Sequence, residues 1–265
     1  MCGRYIIASP PDVLRRLFGY GEQPNMPARF NVAPTQPVPV VIFDNGARHF
    51  QLMRWAFMPA WVKDPRQFAL VINARSETIF EKPSFRNAIK RRRCLLPADG
   101  YYEWQTSHGA KQPFFIHRAD GRPVAFAGVA ETWSGPNGEE VDTVAIVTAA
   151  ARPDMAVLHG RVPVTIDPED FERWLDCNAM EAEIASLMVA PAEGTFVWHA
   201  VSRAVNSVAN DGPELILPLS AEDLAASEAL ADAQPKKTRS SAPKPKSSSK
   251  PVPLPKEDDA QGSLF

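Results

Sequence analysis

The sequence predicts an α+β domain built on a curled antiparallel β-sheet with a few short helices. Three observations favour this class. Short runs of apolar, β-branched and aromatic residues recur along the chain and are separated by Gly, Pro and Asp. Helical patterns are few and brief, and strands do not alternate with helices as they do in a βαβ protein. The chain also shows no internal repeat.

The first elements carry strong local signals. Residues 11–18 (PDVLRRLF) predict a short helix, because the leucines and the phenylalanine share one face and Gly19 follows them. A Pro-rich extended stretch then leads to two strand-like runs that flank residues 44–46 (Asp-Asn-Gly), a sequence typical of a β-hairpin turn. Residues 59–67 predict a loop, and the run FALVI leads into Asn73.

The following segments predict mainly strands. Ser84 is placed to cap a helix over residues 85–93 (FRNAIKRRR), and the basic run 90–93 predicts a solvated helix face that could also line a phosphate path. Helical patterns return at 168–176 and 179–189. The strand-like runs are CLLP, YYEW, PFFIH, VAFAGVA, TVAIVTA, VPVTI and FVWHAV.

Composition changes near residue 220, so we expect a folded domain over residues 1–220 and a tail over 221–265. The segment 221–233 is rich in Ala, Glu and Leu and favours transient helix. The segment 234–256 consists largely of Pro, Lys and Ser. Such a composition cannot bury a core, which predicts disorder.

Composition also excludes several functional classes. The 265 residues, 45% of them hydrophobic, allow a sizeable core, and a net charge of −2 means that nucleic-acid binding would need a local basic patch. The cysteines Cys2, Cys94 and Cys177 show no paired spacing, which argues against a disulfide framework or a zinc site and fits a reducing cytoplasm. We find no signal peptide, membrane-length apolar run, metal-ligand spacing or phosphate loop. We therefore expect a cytoplasmic protein with no membrane, metal or cofactor.

The second residue, Cys2, is the strongest candidate for chemistry. Because Cys2 is small, we expect Met1 to be removed, which leaves a free α-amine and a thiol on adjacent carbons. An α-amine is deprotonated to roughly a tenth near pH 7, far more than a lysine. It can therefore attack an aldehyde to give an imine, and the nearby thiol can close on the imine carbon to form a thiazolidine. Taken alone, Cys2 also fits a tolerated small residue at a frayed terminus.

Three polar residues interrupt apolar runs at other points of the sequence. Asn73 follows a strand-like run, Glu103 lies between two aromatic residues, and His159 precedes Gly160. Each residue also fits an ordinary structural role. Asn73 could be a turn residue, Glu103 a solvent-facing strand residue and His159 a satisfied core histidine.

Seven motifs together resemble one family, the SOS-response-associated peptidase (SRAP) family, over about residues 2–218. Departures are small: Ala56 and Gly160 stand where the family commonly has Gly and an acidic residue. The matching motifs are MCGRY (1–5), RFNVAPTQ (29–36), MRWAFMPAW (53–61), INARSET (72–78), RCLLPADGYYEW (93–104), LHGRVPVTI (158–166) and VSRAVNSVANDGPELILP (201–218).

The resemblance implies a protein that binds single-stranded DNA and crosslinks to abasic sites through Cys2, in association with the nucleoid. It implies that Asn73 holds the Cys2 backbone and the sugar. Glu103 would act as acid and base near the α-amine, and His159 would protonate the sugar oxygen. The implied DNA contacts are Arg4, Arg75 and Arg161 on phosphates, and Asn31, Pro34 and Trp61 along the groove.

Two other function classes stay open at this point. The family name suggests a cysteine peptidase with Cys2, His159 and Asn73, and self-removal of Met1 would be one such activity. Strand cleavage by a lyase reaction could accompany the crosslink. A non-covalent reader of modified DNA is the remaining alternative, and it would not need Cys2. Blocking the α-amine while leaving the thiol free would separate a peptidase from an aldehyde trap.

The last five residues of the chain carry a separate signal. Gln261, Leu264 and Phe265 follow a long polar tail and resemble the peptide by which bacterial repair enzymes dock on the sliding clamp. The two apolar side chains would fill a pocket, and the glutamine would hydrogen-bond at its edge. An ordinary frayed terminus is the alternative interpretation.

Overall fold

The computed structural model describes residues 2–107 and 110–225 of the chain. Its strands are β1 (Tyr5–Ile7), β2 (Arg29–Val32), β3 (Pro37–Asp44), β4 (Ala47–Arg54), β5 (Asn73–Arg75), β6 (Arg93–Ala98), β7 (Gly100–Ser107), β8 (Ala110–Arg118), β9 (Val124–Ser134), β10 (Glu140–Ala150), β11 (Arg161–Pro163), β12 (Thr165–Ile166) and β13 (Phe196–Ala200). Its α-helices are α1 (Pro11–Phe18), α2 (Ala88–Arg91), α3 (Pro153–Ala156), α4 (Phe171–Leu175) and α5 (Glu181–Leu187). Short 3₁₀ helices cover Pro65–Gln67, Ser76–Thr78, Pro168–Asp170, Arg203–Asn206 and Pro213–Ile216.

The larger of two sheets closes on itself. Its strand order is β11-β10-β4-β3-β6-β9-β12, and β10 also pairs with β9, so the strands β10, β4, β3, β6 and β9 form a ring. The ring is antiparallel except where β10 meets β4. Closure removes the exposed edges that an open sheet would present. The predicted α+β class and the curled sheet are therefore confirmed.

The second sheet holds the N-terminus of the chain. Its order is β13-β8-β7-β1-β2, and its pairings are antiparallel. Strand β1 lies between β2 and β7, with Tyr5 opposite both Val32 and Tyr101. A chain terminus usually frays unless it is bound in this way. Cys2, three residues before the start of β1, is consequently held in a buried position.

Several local predictions are confirmed. Helix α1 ends at Gly19, whose φ of 71° is the left-handed conformation that a glycine adopts at low cost. Strands β3 and β4 form the predicted hairpin, and Asn45 and Gly46 both have positive φ, at 49° and 79°. The predicted helices at 168–176 and 179–189 appear as a 3₁₀ turn followed by α4, and as α5.

The helix predicted over residues 85–93 is wrong in extent. The α-helix covers only Ala88–Arg91, and Ser84 lies in a preceding series of turns rather than at the cap. Arg93 is not on a solvated helix face: it is buried at the start of β6, and its guanidinium donates to the carbonyls of Ile89, Trp174 and Asp176. These tertiary acceptors outweigh the local helical preference of the basic run.

The core has two parts. The barrel interior holds most buried side chains, while a smaller cluster that includes Ile6, Tyr102 and Val205 lies between the second sheet and the segment 201–216. Residues 221–225 begin a helical turn capped by Ser220; the rest of the predicted tail lies outside the described residues. Within the described ranges, no helix has the length and hydropathy needed to cross a membrane.

Candidate active site

Cys2 is buried in the structure rather than frayed. The residue precedes β1, and none of its surface is exposed. Its Sγ lies 3.8 Å from the carbonyl oxygen of Arg4, a weak thiol hydrogen bond. Burial raises the pKa of the Cys2 thiol far above its usual range, and the negative charge of Glu103 raises it further. Burial therefore favours the neutral thiol over the thiolate.

Asn73 connects the barrel to Cys2. It begins β5, which pairs in parallel with β10 so that Asn73 lies opposite Ile146. Its Nδ2 donates a hydrogen bond of 2.9 Å to the carbonyl oxygen of Cys2. Its Oδ1 is buried and, among the residues described, has no hydrogen-bond donor. Because such an acceptor is costly to bury, Oδ1 suits a donor supplied by a ligand or by the processed N-terminus.

Glu103 lies on β7, the strand that pairs with β1. It stands opposite Phe114 and only 4% of its surface is exposed. The amide of the preceding residue, Tyr102, donates to the carbonyl oxygen of Arg4 over 2.9 Å, which fixes β7 against the N-terminal segment. A buried carboxylate near the Cys2 thiol is well placed to exchange protons with the N-terminal residue.

His159 lies in the turn between α3 and β11. The amide of Arg161 lies 3.0 Å from Nδ1 of the ring and can donate to it when the ring carries its proton on Nε2. The carbonyl oxygen of Arg161 lies 3.2 Å from the same nitrogen and can accept from Nδ1 once the ring is protonated. The backbone of Arg161 can therefore hydrogen-bond the ring through Nδ1 whether that nitrogen accepts or donates.

The three predicted phosphate-binding arginines differ in environment. Arg75 is exposed and has no acceptor in the described part of the chain. Arg4 is half-buried, and its guanidinium donates to Asn31 Oδ1 at 2.7 Å and to the carbonyls of Val205 and Asn206. Burial also lowers the pKa of Arg4. The guanidinium of Arg161 forms an ion pair with the carboxylate of Glu77. Arg75 is consequently the arginine best placed to meet a phosphate without rearrangement.

The predicted groove residues are not equally accessible. Asn31 is buried, and its amide donates to the carbonyls of Ser207 and Asn210 at 3.0 and 2.8 Å. It therefore holds the 205–210 segment and Arg4 in place, and a direct DNA contact by Asn31 stays a prediction. Pro34 is half-buried in the turn before β3. Trp61 is 60% exposed and makes a T-shaped contact with Phe68, so much of its ring is accessible to a base.

The structure adds polar groups that the sequence did not single out. Glu77 pairs with Arg161, and the hydroxyls of Tyr5 and Tyr101 are buried without a hydrogen-bond partner in the described residues. Tyr5 begins β1, three residues after Cys2, and lies opposite Tyr101 on β7, so both tyrosines lie near the site. Glu77 lies within the motif INARSET, but no local pattern shows which residue it contacts.

No cluster that could hold a metal ion occurs in the described ranges, and Gln261, Leu264 and Phe265 lie outside them.

Comparison with known proteins places this site in a family. The family model described as SOS response associated peptidase (SRAP) matches residues 1–208. Abasic site processing protein YedK of Escherichia coli is 35% identical over 230 residues, which covers 83% of this chain and 100% of YedK. Abasic site processing protein YoqW of Bacillus subtilis is 33% identical over 221 residues, covering 82% of this chain and 99% of YoqW.

Two further comparisons support the same family assignment. Abasic site processing protein HMCES of Gallus gallus is 31% identical over 263 residues, which covers 83% of this chain and 78% of HMCES. A crystal structure of a protein from Bacteroides thetaiotaomicron superposes with a TM-score of 0.74 at 25% identity, and covers 83% of this chain and 100% of that protein. With a matching family model over most of its length and these relatives, the chain belongs to the SRAP family.

Proposed function

We propose that this protein crosslinks to abasic sites in single-stranded DNA through Cys2. The observation that carries the proposal is the position of Cys2, which lies buried beside Glu103 with its carbonyl oxygen held by Asn73. The names of its relatives, abasic site processing proteins, agree with an abasic site as the substrate. An abasic site exposes the aldehyde of a ring-opened deoxyribose, which is the electrophile that a 1,2-aminothiol captures.

The reaction begins once Met1 has been removed. The α-amine of Cys2 attacks the aldehyde carbon, and loss of one water gives an imine. The thiol then adds across the C=N bond, so that sulfur bonds to carbon and the thiol proton passes to nitrogen. The product is a thiazolidine, formed without any change of oxidation state. A neutral thiol suits this order, because the amine acts first and the thiol brings its own proton.

Three side chains assist these steps. Glu103 accepts the proton that the α-ammonium must lose before attack. His159 donates its Nε2 proton to the sugar oxygen as the ring opens and water leaves. Asn73 fixes the Cys2 carbonyl, and its free Oδ1 accepts a hydrogen bond from the sugar or the amine. Together they hold the amine and the aldehyde at reacting distance.

DNA binding in this proposal comes from a local patch rather than from the net charge. Arg75 and, after adjustment, Arg4 meet phosphates, while Arg161 stays paired with Glu77. Trp61 stacks on a base with its exposed ring, and Pro34 lines the groove beside it. Asn31 contributes through the placement of Arg4.

The test of this proposal is intact mass spectrometry of the full-length protein after incubation with single-stranded DNA that carries one abasic site. We expect protein without Met1, and an adduct equal in mass to protein plus DNA minus one water. Undamaged DNA of the same sequence is the control. Selective blocking of the α-amine with the thiol left free should abolish the adduct. Adduct formation by the amine-blocked protein, or by protein that retains Met1, would contradict the proposal.

Self-removal of Met1 is a second candidate activity of the same site. The Cys2 thiol belongs to the residue that follows the Met1–Cys2 peptide bond, and Glu103 acts electrostatically on that thiol. The test uses purified protein whose Met1 α-amine is blocked, so that Met1 is still present. Cleavage of the Met1–Cys2 bond by the wild type, and loss of that cleavage in Glu103→Gln, would support self-removal. Retention of Met1 removal in Glu103→Gln would assign the step to an external aminopeptidase.

We also propose that the C-terminal residues Gln261, Leu264 and Phe265 dock on a sliding clamp. Tethering through the tail would raise the local concentration of the domain near replication gaps. Binding between purified clamp and full-length protein should be lost when residues 261–265 are deleted. Equal binding by both forms, or no binding by either form, would contradict this proposal.

A further inference from the structure

Arg161 makes a two-pronged ion pair with Glu77. Its Nη1 donates to Glu77 Oε1 at 2.7 Å and its Nη2 to Oε2 at 3.0 Å. Arg161 is largely buried, with 17% of its side chain exposed against 47% for Glu77. The paired hydrogen bonds hold the pKa of Glu77 below its usual range. A bidentate pair of this kind fixes geometry as well as charge.

The pair connects β11 and β10 to the 3₁₀ helix Ser76–Thr78, which follows β5. Arg161 lies on β11 opposite Ala150, and its Nη2 also donates to the carbonyl oxygen and hydroxyl of Thr148 on β10. Glu77 lies two residues after Arg75, which pairs with Thr148 from the other side of β10. One guanidinium therefore crosses β10 and ties β11 to the segment that follows β5.

Two residues on which the proposed reaction depends lie on β5 or next to β11. Asn73 begins β5, and His159 stands two residues before β11 starts. The backbone amide and carbonyl of Arg161 both lie within hydrogen-bonding distance of the His159 ring. Whatever fixes the backbone of Arg161 therefore also fixes the imidazole relative to Asn73 and Cys2.

We propose that Glu77 and Arg161 form a positioning brace for His159. This inference rests on the proposed crosslinking function. The brace acts through the ring of His159 and makes no contact with the sugar. The competing role is electrostatic: Glu77 would hold Arg161 away from DNA, and its removal would free the guanidinium for a phosphate. The two roles predict different results when Glu77 loses its charge. The brace predicts slower crosslinking at unchanged DNA affinity, whereas the electrostatic role predicts tighter DNA binding.

The experiment uses the full-length protein and single-stranded DNA. Crosslinking rates are measured under single-turnover conditions with abasic DNA, and affinity and its salt dependence with undamaged DNA. The variants are Glu77→Gln, Glu77→Asp, His159→Gln and the double variant Glu77→Gln/His159→Gln. Glu81→Gln is the matched control, because Glu81 is exposed and its substitution removes the same charge four residues away from Glu77.

We expect Glu77→Gln to slow crosslinking roughly tenfold or more, as a small misplacement of a reacting group does, with affinity equal to that of Glu81→Gln. Glu77→Asp should recover part of the rate. In the His159→Gln background the Glu77→Gln change should have no further effect, because residues that act as one unit are not additive.

Three results would overturn the brace. These are an unchanged rate in Glu77→Gln, an equal loss in both backgrounds, or tighter DNA binding with a steeper salt dependence than Glu81→Gln shows. Each of these presupposes crosslinking by the wild-type protein. Its absence from the wild type would overturn the proposed function and the brace together, so the two failures are distinguishable.

Discussion

The side-chain amide of Asn73 donates a 2.9 Å hydrogen bond to the main-chain carbonyl oxygen of Cys2, although 71 residues separate the two in sequence. Cys2 precedes β1 in the five-stranded sheet, whereas Asn73 belongs to β5 on the barrel. This hydrogen bond connects the two sheets at the N-terminus. It fixes the backbone of the residue whose amine and thiol carry the proposed chemistry.

Replacing Asn73 by Asp should slow crosslinking by roughly a hundredfold, because a carboxylate oxygen would face the Cys2 carbonyl oxygen where a donor now lies. The measurement is the single-turnover rate with abasic single-stranded DNA, alongside affinity for undamaged DNA. Asn87→Asp is the control, since Asn87 is exposed and its side chain caps nothing. A rate loss no larger than that of Asn87→Asp would rule out a role for this hydrogen bond in catalysis.

Replacing Cys2 by Ser should abolish the stable crosslink while DNA binding persists. Serine keeps the α-amine and can form the imine, but its hydroxyl closes to a far less stable oxazolidine ring. The adduct of Cys2→Ser should therefore be lost on prolonged incubation with a competing amine, whereas that of the wild type should survive. Equal survival of the two adducts would mean that no thiazolidine forms.

Replacing Arg75 by Ala should weaken single-strand binding and reduce the magnitude of the log–log salt slope by about 0.7, the loss of one phosphate contact. Since Arg75 is exposed, the free energy of unfolding should change by less than about 0.5 kcal/mol. Arg4→Ala provides the contrast. It leaves the Asn31 Oδ1 acceptor and the Val205 carbonyl without this donor, so it should also cost about 1–3 kcal/mol of stability. An unchanged slope in Arg75→Ala would place the DNA elsewhere.

The stability of the protein should fall as the pH rises above about 9. Burial raises the pKa of both the Cys2 and the Cys94 thiols far above their usual range. In that pH range the unfolded chain has lost these protons and the native state retains them. The unfolded state therefore binds fewer protons, and each thiol lowers the free energy of unfolding by about 1.4 kcal/mol per pH unit.

Urea unfolding at pH 7 and at pH 10 checks this expectation. Cys94→Ala should reduce the difference between the two pH values, whatever its effect at pH 7. Cys177→Ala is the matched control, because Cys177 is exposed. A pH dependence that is the same in Cys94→Ala and in wild type would show that this thiol does not titrate as its burial requires.

Local sequence was a good guide wherever the cause of the structure is itself local. The hairpin at Asn45 and Gly46 and the end of α1 at Gly19 follow from which residues tolerate positive φ. Strand positions followed from runs of apolar and β-branched residues. The motif pattern identified the family, which the comparisons confirmed, and it singled out Cys2, Asn73, Glu103 and His159. Their catalytic roles stay predictions.

Sequence by itself therefore determined the class of fold, the order of most elements, the family and the candidate for the reactive residue. Only the tertiary structure decided that β10 closes a ring through β4 and β9, that Asn31 is buried beneath the 205–210 segment, and that Arg161 is bound to Glu77. It also shortened the basic helix by drawing Arg93 into the core. The physical reason is the same in each case: a hydrogen bond between distant segments depends on which segments meet, and neither partner shows a local pattern that names the other.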